Sequence, residues 1–307
     1  MLASLRPLPM LAGPTASGKS GIALALAERH GLEIVSADAM QVYRGMDIGT
    51  AKPTVAEQRR VRHHVLDVVT PAESYSVAAY VAHAHSAIAS ILERGSIPFV
   101  VGGTGFYLRA LRDGLPTVPE ADAAVQAPLW AAVEQGRLPD LMAELKALAP
   151  TDAARAGANP RRVVRNLEVL RRTGKPPSAF AYTPPRYVFD LLVLAPSPAT
   201  LAPRIIKRAE AMFDAGLVDE VRRLLEAFPA QGTALQAIGY KEVVDHVRGG
   251  STVREAIDSV TNATLRYAKR QRTWFRAEKG ATVVEAAGAD ALPAVEAWLV
   301  SVLGGRG

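Results

Sequence analysis

Eight consecutive residues, Gly13–Ser20 with the sequence GPTASGKS, carry the most specific chemistry in this chain. The pattern GxxxxGK[ST] fixes four identities, so chance matches occur in on the order of one in a hundred chains of this length. Its logic is anion binding. Gly13 and Gly18 permit backbone conformations that turn successive amide N–H groups toward one centre. Lys19 adds a full charge, the following helix N-terminus adds partial positive charge, and the Ser20 hydroxyl suits Mg²⁺. The segment Gly13, Pro14, Thr15, Ala16, Ser17, Gly18, Lys19 and Ser20 is therefore expected to hold a diphosphate-type group. It does not name the reaction.

A nucleotide hydrolase or kinase usually adds an acid after a buried strand to order Mg²⁺. The strongest buried strand, Ile97–Val101, runs instead into Gly102-Gly103-Thr104. Asp67, inside His64–Val69 (HVLDVV), is a weaker candidate, and no Asn-Lys-x-Asp motif occurs. A simple nucleotide hydrolase is thus an incomplete reading. A second strand, Glu33–Ser36, ends at Asp38, which should project beside the phosphate loop at the carboxyl edge of a sheet. By itself such an Asp is as often a cap or turn residue as a catalyst.

The elements that must position these groups follow from hydrophobic runs and their punctuation. Residues 8–12 predict a strand, and Ser20–Arg29 a helix closed by Gly31. His64–Val69 reads as a strand, Val77–Arg94 as a long helix, and Phe106–Arg112 as a helix after the glycine turn. Strand, loop and helix alternate, which implies a parallel sheet with helices on both faces. From Gly114–Pro119 to about Pro185 only helical segments are found: Ala121–Gln135, Leu138–Leu148 and Arg161–Arg172. Val188–Leu194 restores a buried strand, and the remainder is mostly helix with a late strand at Thr282–Val284. The expected fold is α/β, a P-loop NTPase-like parallel sheet with flanking helices plus a helical insertion domain. Residues 1–115 and 186–307 form the core in this reading, and 116–185 form the insertion.

Composition narrows the classes further. The chain has 307 residues, 49% of them hydrophobic, which argues against wholesale disorder. No apolar run approaches the roughly 20 residues of a membrane span, so no membrane partner is expected. The apolar N-terminus runs straight into the glycine loop, and treating it as a signal peptide would cleave away the first strand. Cysteine is absent, which excludes disulfides and fits a cytoplasmic location. The 36 Lys+Arg exceed the 30 Asp+Glu, a surplus that points to a polyanion only where it is clustered.

Two clusters qualify. Arg161, Arg165 and Arg172 share one helical stripe, with only Glu168 acidic nearby. In Thr261–Arg276 the cations Arg266, Lys269, Arg270, Arg272 and Arg276 share one half of a helical wheel. Tyr267, Ala268, Trp274 and Phe275 oppose them and read as core packing. Each basic face alone suits solvent as well as RNA. Two of them beside a phosphate loop favour RNA. The pairs His63/His64 and His83/His85 lack metal-ligand spacing with an acidic or cysteine partner.

Four segments taken together, GPTASGKS, SADAMQVYRGMDIGTAKP, VGGTGFYLRAL and RYAKRQRTWFR, resemble the tRNA isopentenyltransferase family, in order and over nearly the whole chain. The resemblance implies transfer of a dimethylallyl group from dimethylallyl diphosphate to N6 of the adenosine 3′-adjacent to the anticodon, on a tRNA anticodon stem-loop. It assigns the diphosphate to Thr15–Ser20, with Mg²⁺ at Ser20, and catalysis to Asp38 as general base with Thr15, Lys19 and Arg208. Arg204 sits one helical turn before Arg208. The tRNA contacts it implies are Asp38, Ala39, Met40 and Gln41; Thr104; Gln126; Arg161, Arg162, Val163, Val164 and Arg165; and Gln236, Ala237, Ile238, Gly239, Tyr240 and Lys241. Two positions depart from the family pattern. Ala39 stands where Ser is common, and Gln126 where some relatives carry arginine.

These residue types suit that reaction. The adenine amine is a poor nucleophile, and a carboxylate that accepts its proton raises electron density on nitrogen during attack. Departing diphosphate needs stabilised negative charge, which amides, Lys19, Arg208 and Mg²⁺ supply. The stacked base must be extruded to react, and unpaired loop bases are the cheapest to extract. Gln41 offers a donor and an acceptor to an adenine edge. Rival readings are an adenylate isopentenyltransferase acting on free AMP, a P-loop small-molecule kinase, and a non-catalytic RNA-binding protein. The first needs neither an insertion nor two basic faces. The enzyme is expected to act as a cytoplasmic monomer.

Overall fold

The computed structural model describes residues 6–228 and 234–304; residues 1–5 of the N-terminal run lie outside them. The chain divides into two compact units, Met1–Arg112 with Arg186–Gly307, and Asp113–Pro185. In the first unit β1 (Leu8–Ala12), β2 (Leu32–Ala37), β3 (His63–His64), β4 (Ile97–Gly102), β5 (Phe189–Leu194) and β6 (Thr282–Val284) form one sheet. Its order is β3-β2-β4-β1-β5-β6, and every neighbouring pair is parallel. The helices α1 (Lys19–His30), α2 (Val55–Arg60), α3 (Val77–Glu93) and α4 (Gly105–Asp113) alternate with its first strands.

The apolar character of the central strands follows from burial on both faces. Met10 and Leu11 are each fully buried, yet on opposite sides. Met10 joins Tyr80, Ile88 and Ile91 of α3 in one core. Leu11 joins Ile22 and Leu26 of α1 with Val295 and Leu299 of a C-terminal helix (Leu292–Gly304) in the other. Burying each such side chain contributes about 1.5–3 kcal/mol. None of the described helices is long and apolar enough to cross a membrane.

One expected strand is largely absent. His64–Val69 joins the sheet only at His63–His64 and then makes a single parallel bridge from Val69 to Tyr43, because Val65 (φ 62°) and Asp67 (φ 54°) turn left-handed between them. Asp67 is drawn out by Lys52, whose buried ammonium bonds Asp67 at 2.6 Å, Asp47 at 2.5 Å and the Tyr43 carbonyl at 2.9 Å. That pairing also occupies the acid considered above for Mg²⁺.

The second unit packs α5 (Ala123–Glu134), α6 (Leu138–Leu148), α7 (Pro150–Ala156) and α8 (Pro160–Thr173) around Leu129, Leu141, Leu145 and Leu167. Helix α7 was not expected. Its Pro150 reads as a break in sequence but occupies the first turn, where no amide donor is needed. Glu168 is the polar centre of this unit and is fully buried. It accepts from Asp122 N and Gln126 Nε2 at 2.7 Å each, from Arg165 at 2.8 Å and from Arg172 at 3.3 Å. Beyond these four helices the chain returns to the first unit through α9 (Pro198–Asp214), α10 (Leu217–Ala227), α11 (Tyr240–Val247), α12 (Val253–Arg276) and α13, the C-terminal helix above.

Two outcomes follow. Gly102 ends β4 where an added Cβ would collide with the Ala37 carbonyl, one residue before Asp38. Gly102→Ala should lower stability by at least about 2 kcal/mol in denaturant titration. Burial opposes charge on Glu168, but bonds from Gln126 and Arg165 outweigh it and hold its carboxyl below the ordinary range. Its stabilisation is therefore present above the unfolded carboxyl range and lost as pH falls through the folded value. Glu168→Ala should cost about 3 kcal/mol at pH 7. The gap to wild type should narrow in melts at progressively lower pH.

Candidate active site

The phosphate loop leaves the carboxyl end of β1, and its shape is set through its carbonyl side. Arg204 Nε donates to Ala16 O at 2.7 Å, and Gly288 N donates to Ser17 O at 2.9 Å. Ala16 is left-handed (φ 62°), as is Gly18 (φ 89°). A Cβ at Gly18 would also lie 2.6 Å from Gly288, so two constraints require glycine there. The Ser17 hydroxyl is buried without a hydrogen-bond partner among the described residues.

Asp38 follows the end of β2, and Thr104 follows the end of β4 beside it. Asp38 Oδ1 accepts from Met40 N at 2.9 Å, while Thr104 Oγ1 accepts from Ala39 N at 3.0 Å. Thr104 N in turn donates to Ala37 O at 3.2 Å. These three bonds tie the two strand ends together and fix the direction of the Asp38 carboxylate.

One cavity of about 440 Å³ brings the two sides together. Thr15, Lys19, Ser20 and Arg208 line it with Asp38 and Thr104. Ala39, Met40 and Gln41 extend the wall, and Gln236, Ala237, Ile238, Gly239 and Tyr240 complete it. Lys241 is exposed and is not part of the wall. An adjoining hollow of about 370 Å³ shares Lys19, Ser20 and Arg208 and adds Gly18, Arg204 and Lys207.

The electrostatics suit an anion. Burial pulls the Lys19 ammonium down to about 8; Asp38 opposes that shift and Arg208 adds to it. Burial likewise lowers Arg208 from the usual guanidinium range, again against Asp38. Two half-buried cations thus share one carboxylate, which leaves the pair short of negative charge.

Helix α12 supplies residues that sequence reasoning missed. Gln271 is buried; its Oε1 accepts from Thr15 N at 2.9 Å and its Nε2 donates to Gly103 O at 2.8 Å. One amide therefore links the phosphate loop to the loop after β4. Val260, Thr264, Tyr267 and Gln271 all line the cavity. Their spacing of 4, 3 and 4 is one helical face, a signal that was present but hidden within a basic segment. Tyr267 corrects the core-packing reading: it is a half-buried part of the cavity wall, and burial, then Asp38, push its hydroxyl up to about 12. Phe275 does enter the core, and Trp274 lies under Arg109 at 4.1 Å. Arg266, Lys269, Arg270 and Arg276 are exposed, while Arg272 is half-buried.

Other expected contacts are already engaged. Gln41 Oε1 accepts from Ser36 Oγ at 3.1 Å, and Nε2 donates to Thr50 O and Ala51 O at 3.3 and 3.2 Å. Its amide hydrogens thus point to carbonyls of the chain, while Oε1 keeps a second lone pair in the cavity wall. In the second unit Val163 and Val164 are core side chains, and Arg165 is held by Glu168 and the Pro119 carbonyl. Arg172 is tied to Glu168 as well. Gln126 also serves Glu168. Arg161 and Arg162 remain exposed on α8, with Arg162 bonding Arg155 O at 3.0 Å. His63 bonds Val61 O, His64 bonds Glu33, and His83 bonds Tyr75.

Residues 41–278 match the family model described as IPP transferase. A tRNA dimethylallyltransferase of Thermus thermophilus is 52% identical over 296 residues, covering 96% of this chain and 98% of that protein. A tRNA isopentenylpyrophosphate transferase of Bacillus halodurans superposes with a TM-score of 0.71 at 36% identity, over 97% of each chain. A eukaryotic dimethylallyltransferase acting on tRNA gives a TM-score of 0.76 at 27% identity, over 97% of this chain and 78% of that one.

The Lys19 shift has a definite sign. Above pH about 8 the folded chain releases this proton while the unfolded chain retains it toward the ordinary lysine value of 10.5, so stability rises with pH in that window. Anion affinity runs the other way. In calorimetric titration with inorganic diphosphate, the advantage of wild type over Lys19→Ala should shrink steadily as pH passes through 8. A ratio independent of pH would contradict a depressed Lys19.

Proposed function

The chain belongs to the IPP transferase family, and on that premise we propose that it transfers a dimethylallyl group from dimethylallyl diphosphate to N6 of the adenosine 3′-adjacent to the anticodon of tRNA. The observation that carries this reading is a single cavity lined by Lys19, Ser20 and Arg208 together with Asp38. A cation-rich loop beside a lone carboxylate suits an anionic leaving group opposite a weakly acidic amine. The bond from carbon to the diphosphate oxygen breaks as the bond to N6 forms. Charge developing on the departing oxygens meets Lys19, Arg208 and the amides of the phosphate loop. The Thr15 hydroxyl would hydrogen-bond the bridging oxygen.

Asp38 accepts the amine proton. Its Oδ1 is oriented by Met40 N, and Oδ2 has no hydrogen-bond partner among the described residues. Ser20 would hold Mg²⁺. No group of three His, Cys, Asp or Glu that could hold a metal is found among the described residues, so the diphosphate itself would supply most ligands. That donor set fits Mg²⁺, which keeps several waters and favours phosphate oxygens. When bound, the ion would neutralise charge on the leaving group.

The relatives named above act on tRNA, and the exposed cations of α12 and of α8 favour a polyanion over free AMP. The Gln236–Tyr240 wall is the proposed approach of the extruded adenosine, and Arg161 and Arg162 are proposed to meet the RNA backbone. The protein is proposed to act as a monomer. A tRNA substrate suits a cytoplasmic enzyme.

Mass spectrometry of tRNA incubated with protein, Mg²⁺ and dimethylallyl diphosphate should show a gain of one prenyl group on the nucleoside beside the anticodon. Asp38→Asn preserves an acceptor for Met40 N but removes the base. It should slow single-turnover transfer by about 10²–10⁴-fold and leave tRNA affinity within a few-fold. Transfer at the wild-type rate would remove Asp38 as the base. Phosphorylation of a small molecule, with tRNA unchanged, would overturn the reaction class.

A further inference from the structure

Glu220 lies on α10, outside the cavity wall, and the transfer chemistry makes no use of it. Its burial is nevertheless nearly complete, at 3% exposure. A carboxylate is costly to bury unless donors fill its oxygens. Here they do. Oε2 accepts from Asp47 N at 3.1 Å and Ile48 N at 2.8 Å; Oε1 accepts from Gly49 N at 3.2 Å and the Tyr240 hydroxyl at 2.6 Å. Three consecutive amides of one turn and a tyrosine from another element converge on one side chain, and none of these donors is a cation.

Both anchored elements wall the cavity. The turn continues through Gly49 into Thr50 and Ala51, whose carbonyls hold the Gln41 amide, and Gln41 reaches Ser36 two residues before Asp38. Tyr240 ends the Gln236–Tyr240 segment and opens α11. The two elements also touch directly. A Cβ at Gly49 would lie 2.5 Å from the Tyr240 ring, so the turn can approach the ring this closely only as glycine.

We propose that Glu220 is a positioning residue for the transfer. Its carboxylate holds the 47–51 turn and the Gln236–Tyr240 segment at a fixed separation, and so places the incoming adenosine against Asp38. The inference rests on the tRNA prenylation proposed above. Only a carboxylate serves here, because both oxygens accept; a glutamine would turn an N–H₂ toward one pair of donors. The fold does not depend on this contact alone, since Lys52 independently ties Asp47 to Asp67 and the Tyr43 carbonyl.

The test compares wild type, Glu220→Gln and Tyr240→Phe in the full chain, with an anticodon stem-loop and dimethylallyl diphosphate. Single-turnover rate at saturation, KM for the stem-loop, and stoichiometry and affinity for inorganic diphosphate are measured in each. Positioning predicts a rate loss on the order of 10- to 100-fold in Glu220→Gln, and a smaller loss in Tyr240→Phe, which removes one donor. Diphosphate affinity should stay within about two-fold, at full stoichiometry, because Thr15–Ser20 is untouched. A rate within about two-fold of wild type in Glu220→Gln overturns the inference, as does a rate that falls only in proportion to diphosphate stoichiometry. Should Glu220→Gln fail to fold, Tyr240→Phe decides: a slowed rate at full stoichiometry supports positioning, and a wild-type rate overturns it. Failure of wild type to prenylate the stem-loop would instead sink the proposed reaction.

Discussion

Two half-buried cations sharing a single carboxylate set the terms for the first unit. Lys19 and Arg208 are both lowered by burial, and Asp38 is the acid that opposes the shift in each. A folded protein tolerates such an imbalance when a ligand supplies the missing charge. The same imbalance makes the region poor at holding itself together, so its geometry has to come from elsewhere.

That geometry comes from strand ends and from α12. The sheet places the ends of β1, β2 and β4 side by side, so the phosphate loop, Asp38 and Thr104 emerge on one edge. Thr104 then fixes Ala39, and Gln271 bonds both Thr15 and Gly103. The phosphate loop and the ends of β2 and β4 are thereby tied by neutral hydrogen bonds. Glu220 does comparable work one layer further out, at the wall formed by Gly49 and Tyr240.

The second unit follows a different rule. Its basic helix α8 is pinned from within by Glu168, which takes up Arg165 and Arg172 and also the amide of Gln126. Gln126 is thus well matched to its neighbour. Its amide donates to the carboxylate while its own carbonyl oxygen accepts from Trp130 at 3.4 Å.

Sequence alone determined the phosphate loop, the order of the principal strands and helices, the helical insertion and Asp38 as the acid beside the loop. These are local signals: four fixed identities in GPTASGKS, apolar runs bounded by glycine, and an Asp at a strand end. Only the tertiary structure decided which polar groups are free. Gln41 and Arg165 look available in sequence but are bonded to Ser36 and Glu168, while Val163 and Val164 turn inward. Gln271 and Glu220 bond partners 256 and 171 residues away, beyond the reach of any spacing rule. The strand expected at His64–Val69 is interrupted for the same reason, at Val65–Asp67, where Asp67 turns to bond the lysine at position 52. Periodicity reports which face of an element is apolar; a hydrogen-bond partner is settled only when the fold brings two elements together.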